Sequence, residues 1–392
     1  MKNLSRPARY ATAIALIAGL SLALAAAVQS RVSYRYLAVL QEVWSLTRGN
    51  YVEPVDESTL LAGAYKGMVA SLDANSAYLS PGEEKALETP PGAGRTGAEV
   101  LPSGGMPVVV RVDPGSPADK DGIEPGDQVW KINGKSTRQL SVPQLVRLLS
   151  GPPNSTIELA ILDGRNFKLR DTKLTLQAPA GPGFRHQRYD GPVDYIRITS
   201  LETLDAGALR QQVGNAVAAG GALLLDVRGL TGLDLQPLGR LAGVLYGGGT
   251  LVRLVPRNGT EKTIVAPEAP RPALPRDLFV LLDGSTAGAG ETLAQLLRER
   301  SGARLVGRPS YGMGALPELI PLESGGTLLL STREIRTAGG TSWAGKGLEP
   351  QHVLATLPVR PTDKGTERRD PWLEDALSWV REQAGLSLRP AA

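Results

Sequence analysis

From about Gly191 onward, short apolar runs alternate with stretches of helical periodicity, and this pattern constrains the fold more than any other feature of the chain. Residues 195–198, 222–227 and 278–283 are largely apolar, as expected of strands buried on both faces of a sheet. Residues 204–219, 235–245 and 291–300 read as helices between or after them. The last of these places Leu293, Leu296 and Leu297 on one face and has Gly302 as its stop. Such alternation predicts an α/β layer with helices packed on a sheet. A further helix is expected after Asp370, which can cap it, with Pro371 at its first position and Leu373, Ala376, Leu377 and Val380 on one side.

The first half is organised differently. Residues 32–47 and 60–72 read as helices and 83–88 as a short helical piece, before the Pro- and Gly-rich stretch 89–94 marks a boundary. Strands are then expected at 108–112, 128–132, 156–162 and 167–174, with a short helix at 118–122. Asn133-Gly134 supplies a tight hairpin turn, and Ser141 caps a helix running to Leu149. At 392 residues the chain has room for two or three domains.

Several function classes are excluded by composition. There is no cysteine, hence no disulfide framework and no thiolate metal site, which suits an oxidising compartment. His186 and His352 lack metal-ligand spacing, and no metal or organic cofactor is implied. The net charge of +4 is not gathered into a basic stripe interleaved with aromatics, so nucleic acid is not an expected partner. Lys2, Arg6 and Arg9 precede an uncharged, mostly apolar run from Tyr10 to Val28, with Ala23-Leu24-Ala25 as a small-x-small site. This predicts export, by a cleaved signal peptide or by an anchor at residues 10–28, into the bacterial periplasm or onto the outer face of the inner membrane.

Several ordered segments together resemble the carboxyl-terminal processing peptidases, also called tail-specific serine proteases. Asn50-Tyr51-Val52-Glu53-Pro54, Ser71-Leu72-Asp73 and Tyr78-Leu79-Ser80-Pro81 are similar to that family's N-terminal region. Gly97-Ala98-Glu99-Val100, Gly115-Ser116-Pro117-Ala118, Gly126-Asp127 and Ile132-Asn133-Gly134 resemble its PDZ domain, and Leu225-Asp226-Val227-Arg228 and Gly345-Lys346-Gly347-Leu348-Glu349-Pro350 its core. The resemblance implies a multidomain α/β protein. Its parts are N-terminal helices, a PDZ domain built as a small β-barrel with helices, and an α/β ClpP/crotonase-like protease core. The expected division is 1–30 signal peptide or anchor, 31–91 helical region, 92–178 PDZ domain, 179–360 protease-like core and 361–392 C-terminal helix and tail. A PDZ domain takes a peptide as an added strand and holds its terminal carboxylate on backbone N–H groups. That loop is expected at Gly94, Arg95, Thr96, Gly97, Ala98, Glu99 and Val100, with Arg95 adding charge attraction.

The family cuts with a serine activated by a lysine, and the resemblance maps these two positions onto residues that cannot do the chemistry. Aligned on Glu291, the nucleophile position is Gly288; aligned on the flanking glycines, the lysine position is Met313. A glutamine that assists the lysine falls on Pro317, and the glycine-rich oxyanion loop is reduced to Gly229-Leu230-Thr231-Gly232-Leu233, where Gly232 remains. Glycine has no side chain to attack a carbonyl, and a thioether takes no proton at neutral pH. Ser285 and Thr286 are the nearby hydroxyls that could stand in, without an evident base. Three functions follow as expectations: a pseudoprotease that binds protein C-termini, with an active relative or adaptor as its partner; an active serine peptidase with a displaced nucleophile; or an architectural envelope protein that forms homo-oligomers.

Overall fold

The structure, a computed structural model, describes residues 36–88, 92–178, 181–323, 325–355 and 370–386. The apolar run at 10–28, the centre of the Pro-rich boundary, and residues 361–369 and 387–392 lie outside the described residues.

The chain divides at Tyr65 and Lys66 into two compact units. In the first, residues 36–50 are helical and leave Tyr36, Leu37, Leu40, Val43 and Leu46 exposed. The expected second helix runs from Glu57 to Ala70 across the division.

The second unit begins its α/β layer with Phe184–Tyr189, antiparallel to Val193–Ile198, followed in parallel by Ala222–Asp226, Leu278–Leu282, Arg304–Gly307 and His352–Val353. Alternate residues explain the apolar runs. Ile196, Ile198, Leu223, Leu225, Val280, Leu282 and Leu305 face a core completed by Leu209 and Val213 of helix Ala206–Ala219 and by Leu293, Leu296 and Leu297 of helix Ala289–Ser301. Val193, Tyr195, Leu224, Phe279, Leu281 and Val306 face Ala376, Leu377 and Val380 of helix Pro371–Gln383, whose N-cap is Asp370 as expected.

Where the sequence predicts a helix at 235–245, the structure has a 3-10 helix, Gln236–Leu241, and then one π-helical turn, Ala242–Tyr246. Pro237, Gly239 and Gly243 deprive that stretch of α-helical propensity. Strands Gly249–Pro256, Lys262–Ala266, Ala315–Pro321 and Thr327–Thr337 are absent from the sequence-based expectation. They form a second sheet with Ala77–Leu79, and their half-exposed sequences carry only short apolar runs, such as Leu328-Leu329-Leu330, interrupted by charged residues and prolines.

Ala98–Ser103, Met106–Val112, Gln128–Ile132, Thr156–Leu162 and Leu169–Thr175 make a separate antiparallel sheet in that order, with helix Val142–Leu148 against its first strand. Lys131 and Ile132 pair with Ser136 and Lys135 around the Asn133-Gly134 turn, and both turn residues take positive φ. Val100, Val109, Ile123, Val129, Ile132, Leu145, Ile157 and Ile161 are its core.

One buried charge cluster ties the α/β layer together. Asp226 accepts the Tyr195 hydroxyl at 2.7 Å and two arms of Arg228, whose Nη2 also reaches Asp370 at 2.7 Å. Burial alone would raise the Asp226 pKa, but the Arg228 and Arg197 guanidiniums outweigh it and hold it at about 2. A carboxyl whose pKa is lowered on folding stabilises the fold above its unfolded pKa of about 3.9. That contribution disappears as pH falls from there towards 2. Urea denaturation should therefore show stability falling across this window. Asp226→Asn should lower stability at pH 7 by about 3 kcal/mol, because Arg228 and Arg197 lose the buried carboxylate between them and Arg228 keeps only Asp370, and should flatten the acid slope.

Candidate functional site

Strand Leu278–Leu282 leads through 283–287 into Gly288, the N-cap of helix Ala289–Ser301. Gly288 sits at φ 55°, ψ −108°, a conformation that disfavours any residue with a Cβ. Three residues on, Glu291 is fully buried in the first turn. Its Oε2 accepts the N–H groups of Gly288 at 2.9 Å and Met313 at 2.8 Å. Its Oε1 accepts the Gly312 N–H at 2.6 Å and the Ser310 hydroxyl at 2.5 Å. Burial pushes the Glu291 pKa up, and these four donors oppose that shift. The carboxylate thereby staples the turn at 288 to the loop at 310–313.

The staple brings the two positions singled out from sequence side by side. A Cβ built on Gly288 would lie 3.5 Å from the Met313 sulfur. It would also lie 2.1 Å from the carbonyl oxygen of Gly232, which accepts the Ala289 N–H at 2.8 Å. So the first N–H of the helix, the donor best placed for an oxyanion developing beside residue 288, is already occupied by the chain's own glycine loop. Pro317 falls on strand Ala315–Pro321, opposite Ser331 and next to a register shift, and brings no hydrogen-bonding side chain.

Both stand-in hydroxyls are engaged in the turn. Ser285 Oγ donates to the Asp283 carboxylate and accepts the Gly229 N–H at 2.7 Å; Thr286 Oγ1 donates to the Val227 carbonyl at 3.1 Å and accepts the Asp283 N–H at 3.2 Å. Asp283, which the sequence reading did not single out, has its pKa raised by burial. His186 bonds Asp194 at 2.9 Å and His352 stacks on Trp379, each in its own strand and outside this contact network. Among the described residues no group of acidic or histidine side chains could hold a metal ion.

The antiparallel unit meets the site directly. Leu101 and Val142 form one buried cluster with Ala287 and Met313, flanked by Val110, Val146, Leu233 and Tyr311. The Tyr311 hydroxyl donates to the Pro102 carbonyl at 2.9 Å, and Thr231 Oγ1 to Glu99 at 2.9 Å. The expected carboxylate loop is shorter than its sequence suggested. Gly94–Arg95 pairs with Ser150–Gly151 as a strand, and the Arg95 guanidinium is bound to Glu202 at 2.9 Å and to the Gly92 carbonyl. Its charge is thus already paired with Glu202, leaving Thr96 and Gly97 ahead of the edge strand, which begins at Ala98. Gly97, at φ 80°, lies so close to Ser116 that a Cβ would come within 2.1 Å of it.

Replacing Glu291 by Gln keeps the volume but turns one acceptor into an NH2 group facing N–H donors. Denaturant unfolding should register a loss of about 2 kcal/mol or more. Hydrogen exchange should quicken at the amides of Gly312 and Met313; unchanged exchange there would contradict the staple.

The peptidase family S41 profile matches residues 193–354 and a PDZ domain profile matches residues 108–163. Carboxy-terminal processing protease CtpA of Bacillus subtilis (strain 168) is 28% identical over 325 residues, covering 81% of this chain and 69% of its own length. Carboxyl-terminal-processing peptidase 2, chloroplastic, of Arabidopsis thaliana is 28% identical over 325 residues, with 77% and 62% covered. The carboxy-terminal-processing protease of Bartonella bacilliformis (strain ATCC 35685 / KC583 / Herrer 020/F12,63) is 27% identical over 331 residues, with 82% and 76% covered. The chain thus spans between 62% and 76% of the length of these relatives. A solved photosystem II D1 C-terminal processing protease shares the fold, with a TM-score of 0.57 at 23% identity, over 88% of this chain and 90% of that one. The chain thus carries a region matched by peptidase family S41 and a region matched as a PDZ domain, in the order in which its antiparallel and parallel sheets occur, and it is similar over most of its length to carboxyl-terminal processing proteases.

Proposed function

We propose that this chain is an exported, peptide-binding pseudoprotease, which recognises protein C-termini through its PDZ domain and does not cleave them. The observation that carries this reading is the juxtaposition of Gly288 and Met313, whose N–H groups share the Glu291 carboxylate, with the Gly232 carbonyl on the Ala289 N–H. No side chain at either position can attack a carbonyl or take a proton, and the oxyanion donor is satisfied from within the chain. Loss of a nucleophile alone lowers turnover by roughly a millionfold. The basic and apolar N-terminus supports a location in the periplasm or on the outer face of the inner membrane. Presentation of tails to an active relative, or to an adaptor, fits such a binder.

One observation favours a second reading. Ser285 donates to a buried carboxylate, Asp283, which gives it the partner that its sequence context did not reveal. Its oxygen, however, accepts the Gly229 N–H, and that bond lowers the electron density available for attack.

The test is cleavage of an unfolded model protein with an apolar C-terminal tail, alongside labelling by a fluorophosphonate. The natural chain should neither cleave nor label. Cleavage that vanishes in Ser285→Ala would overturn the pseudoprotease and establish the displaced nucleophile. The double variant Gly288→Ser, Met313→Lys should also remain inactive and unfold at lower temperature. Its serine Cβ would clash with the Gly232 backbone, and its lysine would enter an apolar cluster. Robust cleavage by that variant would mean that the Gly232 loop yields readily.

A further inference from the structure

We infer that the PDZ groove of this chain reads only roughly the last three residues of a C-terminus, because its own peptidase domain occupies the remainder of the groove. This rests on the peptide-binding reading above and concerns how much of a tail that site can take.

The strand that would receive a peptide, Ala98–Ser103, is the edge of the PDZ sheet and bonds to Met106–Val112 on its other side. Backbone groups on a strand alternate between its two edges, so residues two apart face the same way. Pro102 shows which set faces outward, since its carbonyl takes the Tyr311 hydroxyl at 2.9 Å. Ala98 and Val100 are therefore the other outward positions. An added strand finds nothing at Pro102: proline has no N–H, and its carbonyl is already bonded to the peptidase domain. Leu101 beside it is buried against Met313 and Ala287, and Val142 at the start of the facing helix lies in the same cluster. Incoming residues would have to displace this apolar contact.

The other end of the groove stays available. Ala98 and Leu148 are only partly buried against the PDZ core, and the Ala98 N–H makes just a 3.2 Å bond to the Thr96 hydroxyl. There an apolar terminal side chain and its carboxylate can be received, with register positions at Ala98 and Val100 and none beyond. Met313 acquires a role by the same geometry. At the position where the family resemblance sets a lysine, a thioether lets the PDZ domain and the peptidase domain share one apolar seam, in which an ammonium would be buried without a partner.

The full exported portion would be titrated, by fluorescence anisotropy, with labelled three-, six- and ten-residue peptides that share one apolar C-terminal residue, each with an amidated control. The expected result is binding lost on amidation and constant within about twofold across the three lengths. In the Met313→Lys chain the seam is weakened, and the ten-residue peptide should gain severalfold over the three-residue one. A gain of about fivefold or more with length in the natural chain would overturn the inference while leaving C-terminal recognition intact. Absence of binding by every peptide would overturn both. The length series on the natural chain decides the matter even if the variant fails to fold.

Discussion

The Asp226 carboxylate has no access to solvent, and it is met by Tyr195 from the preceding strand, by Arg228 two residues further on, and, through Arg228, by Asp370 from the cap of the C-terminal helix. A buried carboxylate is tolerable only when opposite charge and hydrogen bonds replace its hydration, so these elements are compelled to meet there. Arg228 itself stands in the turn just past the end of strand Ala222–Asp226. The residue after it, Gly229, opens the glycine loop that delivers the Gly232 carbonyl to the helix at Ala289. The position of the functional site is set by this cluster before any residue of the site itself is considered.

Glu291 performs the same service one layer further out. Its two oxygens gather backbone donors from the helix turn and from the 310–313 loop, which fixes Gly288 against Met313. In a serine and lysine enzyme such a staple would hold nucleophile and base in register. Here it holds the Gly288 turn beside the Met313 thioether, whose side chain and Ala287 form an apolar contact with the PDZ domain. The polar bonds from Tyr311 to Pro102, from Thr231 to Glu99 and from Arg95 to Glu202 surround that contact. Together they join the PDZ domain to the α/β layer by both packing and directed hydrogen bonds.

Much of this was legible in the sequence. Strands 128–132 and 156–162 and the cap at Asp370 follow from local signals, since apolar alternation, an Asn-Gly turn and an Asp-Pro start each determine backbone geometry over a few residues. The second sheet was not legible, because Thr327–Thr337 carries Arg333, Glu334 and Arg336 and is only half buried, so its strand character comes from its neighbours. The pairing of Arg95 was hidden for a similar reason. A loop arginine looks available until the partner, Glu202, is brought to it from another domain.

The sequence by itself determined the order of the domains, the α/β character of the second half, and which residue types stand at 288 and 313, because these depend on identity and spacing along the chain. Only the tertiary structure decided that Gly288 and Met313 lie side by side on the Glu291 carboxylate, that the Gly232 carbonyl fills the donor beside them, and that Leu101 and Val142 pack with Met313. Each of these is a contact between segments far apart in sequence, fixed by the burial of Asp226 and Glu291 and by the packing around them, and no local pattern encodes the direction in which a carbonyl or a thioether will point.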